Sequence, residues 1–137
     1  MTSLHHNSPV RASVRVIRPA RADGDGQAPR SRAEALIEAS EPVFAGHYPG
    51  FPIFPGICVV ECVHRSALAT APPAKGGLVL AALESARFVG AVFPGDTLTV
   101  ELKWKAEEDG WTCAAEASTV RGTSAKVRLR YRSGGDG

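Results

Sequence analysis

Apolar and polar residues alternate through most of the second half of the chain. From Thr97 to Lys105, Leu98, Val100, Leu102 and Trp104 fall on one side of a two-residue period, and Thr97, Thr99, Glu101, Lys103 and Lys105 on the other. That period predicts a strand with one buried face. It returns over Trp111–Val120, with Trp111, Cys113, Ala115 and Ala117 inward, and over Ala125–Tyr131, with Ala125, Val127, Leu129 and Tyr131 inward. Glu107–Gly110 and Arg121–Ser124 supply the turns, Asp109–Gly110 being a strong hairpin signal. Further strands are predicted over Ala12–Arg18, over Ser31–Ser40, where alternation of Ala35, Ile37 and Ala39 is set above a composition that also suits a helix, and over Gly77–Leu83 and Ser85–Val92, with Pro94–Gly95–Asp96 as the following turn.

One stretch breaks this period. Ile57–Thr70 starts after Pro55–Gly56 and stops before Pro72–Pro73, which predicts a helix of about four turns. Ile57, Val59, Val60, Val63, Ala67, Leu68 and Ala69 leave it no clean polar face, the mark of a helix buried inside a fold. Ahead of it, prolines at 42, 49, 52 and 55 exclude both helix and central strand from Glu41–Gly56. Early strands, one buried helix and a run of antiparallel strands make an α+β fold, its sheet curled round the helix. Residues 1–137 read as a single domain with flexible ends at 1–10 and 133–137.

Composition narrows the class. A chain of 137 residues that is 44% hydrophobic has the length and the apolar content of one globular domain. A formal charge of +2 does not favour a nucleic-acid partner. No apolar run approaches the roughly 18–20 residues of a membrane span. Three cysteines form no even framework, and the first residues lack the apolar middle of a secretory signal, so a reducing, cytoplasmic compartment is expected.

Candidate chemistry gathers where the proline-rich loop enters the helix. His47 stands in that loop and can act as a base. Glu61 stands in the helix, where desolvation by apolar neighbours would favour its protonated form and equip it as an acid. The first-turn N–H groups near Gly56 have no intrahelical partner and can receive a carbonyl or oxyanion. Glu61 and Arg65 also have the i,i+4 spacing of an ordinary helix ion pair. Glu61 and His64 alone are weak evidence for a metal, and none is expected. Cys58 and Cys62 read as small buried thiols.

The segment Phe44–Ala45–Gly46–His47–Tyr48–Pro49–Gly50–Phe51–Pro52–Ile53–Phe54–Pro55–Gly56, followed by Glu61 fourteen residues after His47, resembles the active-site region of the β-hydroxyacyl-acyl carrier protein dehydratases. A second block, Ala86–Arg87–Phe88 through Pro94–Gly95–Asp96, is similar to the same family's strand and turn. The resemblance, over roughly residues 31–132, implies a hotdog fold, an antiparallel sheet wrapped around one long central helix. It implies dehydration of 3-hydroxyacyl thioesters carried on acyl carrier protein, in fatty-acid or polyketide biosynthesis. His47 would be the base, Glu61 the acid and Gly56 the oxyanion donor. It also implies a homodimer whose sites combine His47 of one chain with Glu61 of the other, and no cofactor beyond the carrier's phosphopantetheine. The alternative is a non-catalytic hotdog subunit that binds an acyl chain or a partner protein. Arg65 stands where the family usually has glutamine and would tune the acid by favouring its ionised form. Arg121, Lys126, Arg128, Arg130 and Arg132, a run without an intervening acid, form a candidate face for steering an acidic carrier.

Overall fold

The computed structural model describes residues 13–21, 28–38, 40–41, 53–74 and 76–134. Among them are six strands and one helix: β1 (Val14–Arg18), β2 (Arg30–Leu36), α1 (Gly56–Thr70), β3 (Leu78–Phe88), β4 (Thr97–Glu107), β5 (Gly110–Thr119) and β6 (Gly122–Ser133). All the strands join one antiparallel sheet in the order β1-β2-β4-β5-β6-β3. The helix lies on its inner face, as the predicted α+β architecture requires.

Register follows from the alternation. Ala33, Ala35, Leu98, Val100, Leu102, Trp104, Cys113, Ala117, Val127, Leu129 and Tyr131 are all buried against the helix. A one-residue slip would turn this whole set to solvent, so the hydrophobic pattern fixes the pairing. Fully burying a leucine or valine contributes about 1.5–3 kcal/mol, and the sheet repeats that gain along β4 and β6. Alanines face the helix from β2 and β5, and the large rings of Trp104 and Tyr131 fill the space left, their centroids 6.0 Å apart.

Several expectations change, among them the strand predicted over Ser31–Ser40, which runs from Arg30 to Leu36. The two strands predicted from Gly77 to Val92 are one, Leu78–Phe88, kept continuous through register shifts at Leu80/Ala82 and Leu83/Ser85. That strand is largely exposed in the isolated chain, despite its apolar sequence. Ser133, placed in a flexible tail by composition, ends β6 opposite Leu78. The helix begins one residue earlier, at Gly56, and is not sealed on every side: Ile57 and Leu68 remain 68% and 47% exposed. The predicted flexible end at 1–10 lies outside the described residues, as do positions 135–137.

The loop between β3 and β4 is braced from several directions. Asp96 accepts a hydrogen bond from the Phe93 amide at 2.7 Å, and its carboxylate is gripped by both terminal nitrogens of Arg121 from the β5–β6 hairpin. The same guanidinium lies over the Phe93 ring, 4.9 Å from its centroid. Ile37 N–H donates to Asp96 O and Gly95 N–H to Ile37 O, which tie the loop to the end of β2. The Arg121 hydrogen bond, more than any other cause, holds the Asp96 carboxyl below its usual range. A depressed carboxylate stabilises the fold above its unfolded pKa of about 4 and loses that contribution as pH falls through the folded value. Arg121→Ala is therefore expected to melt at a lower temperature than the parent at neutral pH. The gap should hold down to about pH 4 and close below it, as read by thermal denaturation monitored by circular dichroism.

Candidate active site

The helix start forms because Pro55 presets an extended entry and Gly56 opens the first turn. Pro55 is the N-cap, with φ −65° and ψ 152°, and it provides no side-chain cap. The first turn carries no acidic residue, so the partial positive charge of the helix start is left uncompensated by side chains of the helix itself. Gly56 lets a ring approach closely. A Cβ there would lie 2.9–3.2 Å from three atoms of the Phe88 ring. The ring, contributed by the end of β3, thus stands beside the amide that the sequence nominates as an oxyanion donor. Phe54 N–H donates to Val92 O at 2.8 Å and hangs this entry on the braced β3–β4 loop. Phe88 and the Asp96 brace were not singled out from the sequence, although both lie in the second resembling block.

Glu61 follows Gly56 by roughly a turn and a half. With Ile57, His64 and Leu68 it forms a stripe along the helix that the chain's own sheet leaves partly uncovered. Glu61 keeps 32% side-chain exposure and is ion-paired with Arg65, whose Nε donates to Oε2 at 2.9 Å. The desolvation expected from an all-apolar helix is therefore incomplete in the single chain, while the anticipated i,i+4 contact is present. His47 lies outside the described residues, as does the loop from 42 to 52.

One turn beyond Glu61, His64 is half-buried. Its Nδ1 is 2.8 Å from Tyr131 Oη, and the two rings are stacked at 5.7 Å. Burial pushes the imidazole below its usual range, with Glu61 raising it and Arg65 lowering it to a lesser extent. Burial also pushes the Tyr131 phenol well up. His64 is thus neutral at pH 7 and Tyr131 keeps its proton. Behind them runs a polar chain through the core: Trp104 Nε1 donates to Ser31 Oγ at 3.0 Å, Ser31 Oγ lies 2.8 Å from Thr70 Oγ1, and Thr70 Oγ1 donates to Ser66 O at 2.7 Å. Ser31 occupies an inward strand position, and that parity was the signal available in the sequence.

The chain matches the family model described as ApeI-like, ApeI dehydratase, over residues 24–126. It belongs to the ApeI-like dehydratase family. Among related proteins, the 3-hydroxyacyl-[acyl-carrier-protein] dehydratase FabZ of Chloroflexus aggregans is 42% identical over 78 residues, 54% of each chain. The FabZ of Roseiflexus castenholzii is 33% identical over 97 residues, 68% of each chain. The chain spans about half to two thirds of the length of the curated relatives it matches. Among solved structures, the dehydratase heterocomplex ApeI:P from Xenorhabdus doucetiae superposes with a TM-score of 0.60 at 19% identity, covering 80% of this chain and 92% of that one. A hot-dog-like protein from Thermanaerovibrio acidaminovorans gives 0.66 at 13% identity, covering 78% and 82%. At such identities these structures establish the hotdog fold of this ApeI-like chain.

The three cysteines of this ApeI-like protein, Cys58, Cys62 and Cys113, are free and buried. Burial pushes their thiols up to about 11, 12 and 12 respectively, so none is a thiolate at neutral pH. Among the described residues no three histidine, cysteine, aspartate or glutamate side chains are grouped to hold a metal ion. Titration of the native protein with a disulfide reagent at pH 8 should modify none of the three thiols within minutes. In denaturant all three should react. A native burst of even one equivalent would contradict the inert, structural role.

Proposed function

We propose that the protein dehydrates 3-hydroxyacyl thioesters carried on acyl carrier protein, giving trans-2-enoyl thioesters in fatty-acid or polyketide biosynthesis. The observation that carries the reading is Glu61 on the uncovered stripe of the central helix, roughly a turn and a half from the glycine helix start and fourteen residues after His47. Elimination of water β to a thioester needs three things at once: a base at the α-carbon, stabilisation of negative charge at the carbonyl oxygen, and an acid at the departing hydroxyl. His47 takes the α-proton. The Gly56 amide, at the positive end of the helix, receives the carbonyl oxygen as it gains charge. Glu61 delivers its proton to the hydroxyl, which leaves as water. The reading asks for no cofactor beyond the phosphopantetheine that carries the substrate.

The same reading makes the protein a homodimer. β3 closes one edge of the sheet and presents Val79, Leu80, Leu83 and Phe88, all at least 40% exposed, beside its unpaired backbone. A long apolar edge of this kind is a template for pairing with a second copy. Pairing there brings the exposed helix stripe of each chain towards its partner, so that His47 of one protomer and Glu61 of the other complete each site.

His47→Ala and Glu61→Gln are each expected to lower dehydration of a 3-hydroxyacyl carrier protein by about 10²–10⁴-fold, with melting temperatures near that of the parent. Mass spectrometry of the acyl carrier is the readout. Near-parental turnover in either variant would remove that residue from the mechanism. Arg65→Gln removes the ion pair that engages Glu61 Oε2 at 2.9 Å and frees the carboxyl group to meet the departing hydroxyl. Turnover of the same carrier-bound substrate is expected to rise, and an unchanged rate would separate Arg65 from the chemistry.

A further inference from the structure

The outer face of the sheet, opposite the helix, carries charge that the fold itself does not neutralise. Strand pairing sets Arg30, Lys103, Ala114, Arg128 and Ser85 side by side in one row across β2, β4, β5, β6 and β3. An adjacent row places Arg87 directly opposite Lys126. These residues line a depression of about 730 Å³, in which Ala114 is small enough to leave a floor between Lys103 and Arg128. None of the five cations forms an ion pair with a described residue. Two acids also line the depression, and both are engaged: Glu101 with Arg32 at 3.0 Å, Glu116 with the Thr123 hydroxyl at 2.5 Å.

Like charges placed directly opposite on neighbouring strands weaken a sheet. Here two cations meet twice, at Arg30–Lys103 and at Arg87–Lys126, and two acids once, at Glu101–Glu116, with Lys126 also facing Glu116. In the row of Lys103 and Arg128 the residue between them is Ala114 and no acid. The basic run visible in the sequence is divided by the fold. Arg121 is committed to Asp96 and Arg130 to Glu84, the latter at 3.1 Å. Lys126, Arg128 and Arg132 remain, and the first two line the depression with three cations from other strands.

We propose that this cationic depression is the docking surface for an acidic protein, the acyl carrier that delivers the thioester, an assignment that rests on the dehydratase reading. The position suits delivery. Arg87 lines the depression, and the next residue along β3, Phe88, has its ring against Gly56 on the other face. A carrier seated on the outer face therefore has the helix start just around the end of one strand.

The test is the double variant Lys103→Glu/Arg128→Glu, which touches no residue of the proposed catalytic machinery. Glutamate at 103 faces Arg30, so the variant should melt no lower than the parent. With a carrier-bound 3-hydroxyacyl substrate at low salt, kcat/KM is expected to fall at least tenfold, mainly through KM, and the deficit should shrink as salt rises. With a 3-hydroxyacyl N-acetylcysteamine thioester it should stay within twofold. An equal loss on both substrates, or none on the carrier-bound one, would overturn the docking assignment. Should the parent process neither substrate, the dehydratase reading fails, and direct titration with the acidic carrier still decides the surface. Binding lost in the double variant supports the assignment. Binding unchanged by it, no binding by the parent, or tighter binding of duplex DNA or anionic vesicles than of the carrier overturns it.

Discussion

A fifteen-residue helix has more perimeter than one curled sheet can cover, and the rest of this structure depends on how the excess is used. Cys58, Val59, Cys62, Val63, Ser66, Ala67 and Thr70 turn inward and are buried. The remaining stripe, Ile57, Glu61, His64 and Leu68, is covered only in part by its own chain. Sealing it with a further strand would leave no room for substrate. Leaving it open to water would expose isoleucine and leucine and bathe the carboxyl group in solvent. In the proposed dimer a second copy meeting the chain along β3 would resolve both demands, and would tie dimer formation and the proposed acid–base chemistry to one geometric shortfall.

The same helix carries its polar groups through an apolar interior without leaving them unsatisfied. A buried hydroxyl without a partner costs roughly 1–3 kcal/mol, so each one must find an acceptor or a donor. Ser66 donates to Cys62 O and Thr70 to Ser66 O, the i−4 contacts that let small hydroxyls sit within a helix. Ser31 joins Thr70 to the Trp104 indole, so that the helix C-terminal turn, β2 and β4 are locked to one another by polar contacts rather than apolar packing alone. Ala20 N–H, arriving from β1, donates to Thr70 O at 2.8 Å and satisfies a carbonyl at the helix end. The helix is therefore pinned at its far end by hydrogen bonds and at its start by Phe54.

What the sequence made legible was whatever depends on period. Strands β4, β5 and β6 could be read with their inward faces because a two-residue alternation has only two phases, and Trp104 and Tyr131 select one of them. The helix could be read because proline and glycine bound it on both sides. Its local signals end there: the all-round apolar run of Ile57–Thr70 concealed which residues meet the sheet and which remain uncovered, since that division is made by the sheet's curvature. Leu78–Phe88 looked like two strands because bulges shift the alternation midway, and the isolated chain leaves its apolar residues largely exposed. Charge pairing was illegible for a related reason. Arg121 and Arg128 are equivalent in composition, yet one meets Asp96, twenty-five residues away, and the other faces Ala114 and Ser85. The site itself was partly legible: Glu61, Arg65 and Gly56 stand on the helix as expected, while the Phe88 ring and the Asp96 brace emerge only when distant segments come together.

That brace explains how an exposed hairpin tip can matter to the helix start. Phe54 sits two residues before Gly56, and its N–H donates to Val92 O. Val92 belongs to the short loop that Asp96 closes onto the Phe93 amide, and Arg121 clamps Asp96 from the β5–β6 turn. Phe88, which immediately precedes that loop, supplies the ring that a Cβ at residue 56 would displace. The β3–β4 connection, from Val89 to Asp96, thus begins at the wall beside the Gly56 amide and contains, at Val92, the anchor of the segment that leads into it. Shifting the loop would move both together, so the precision of the helix start rests on an ion pair at the surface as much as on the core beneath it.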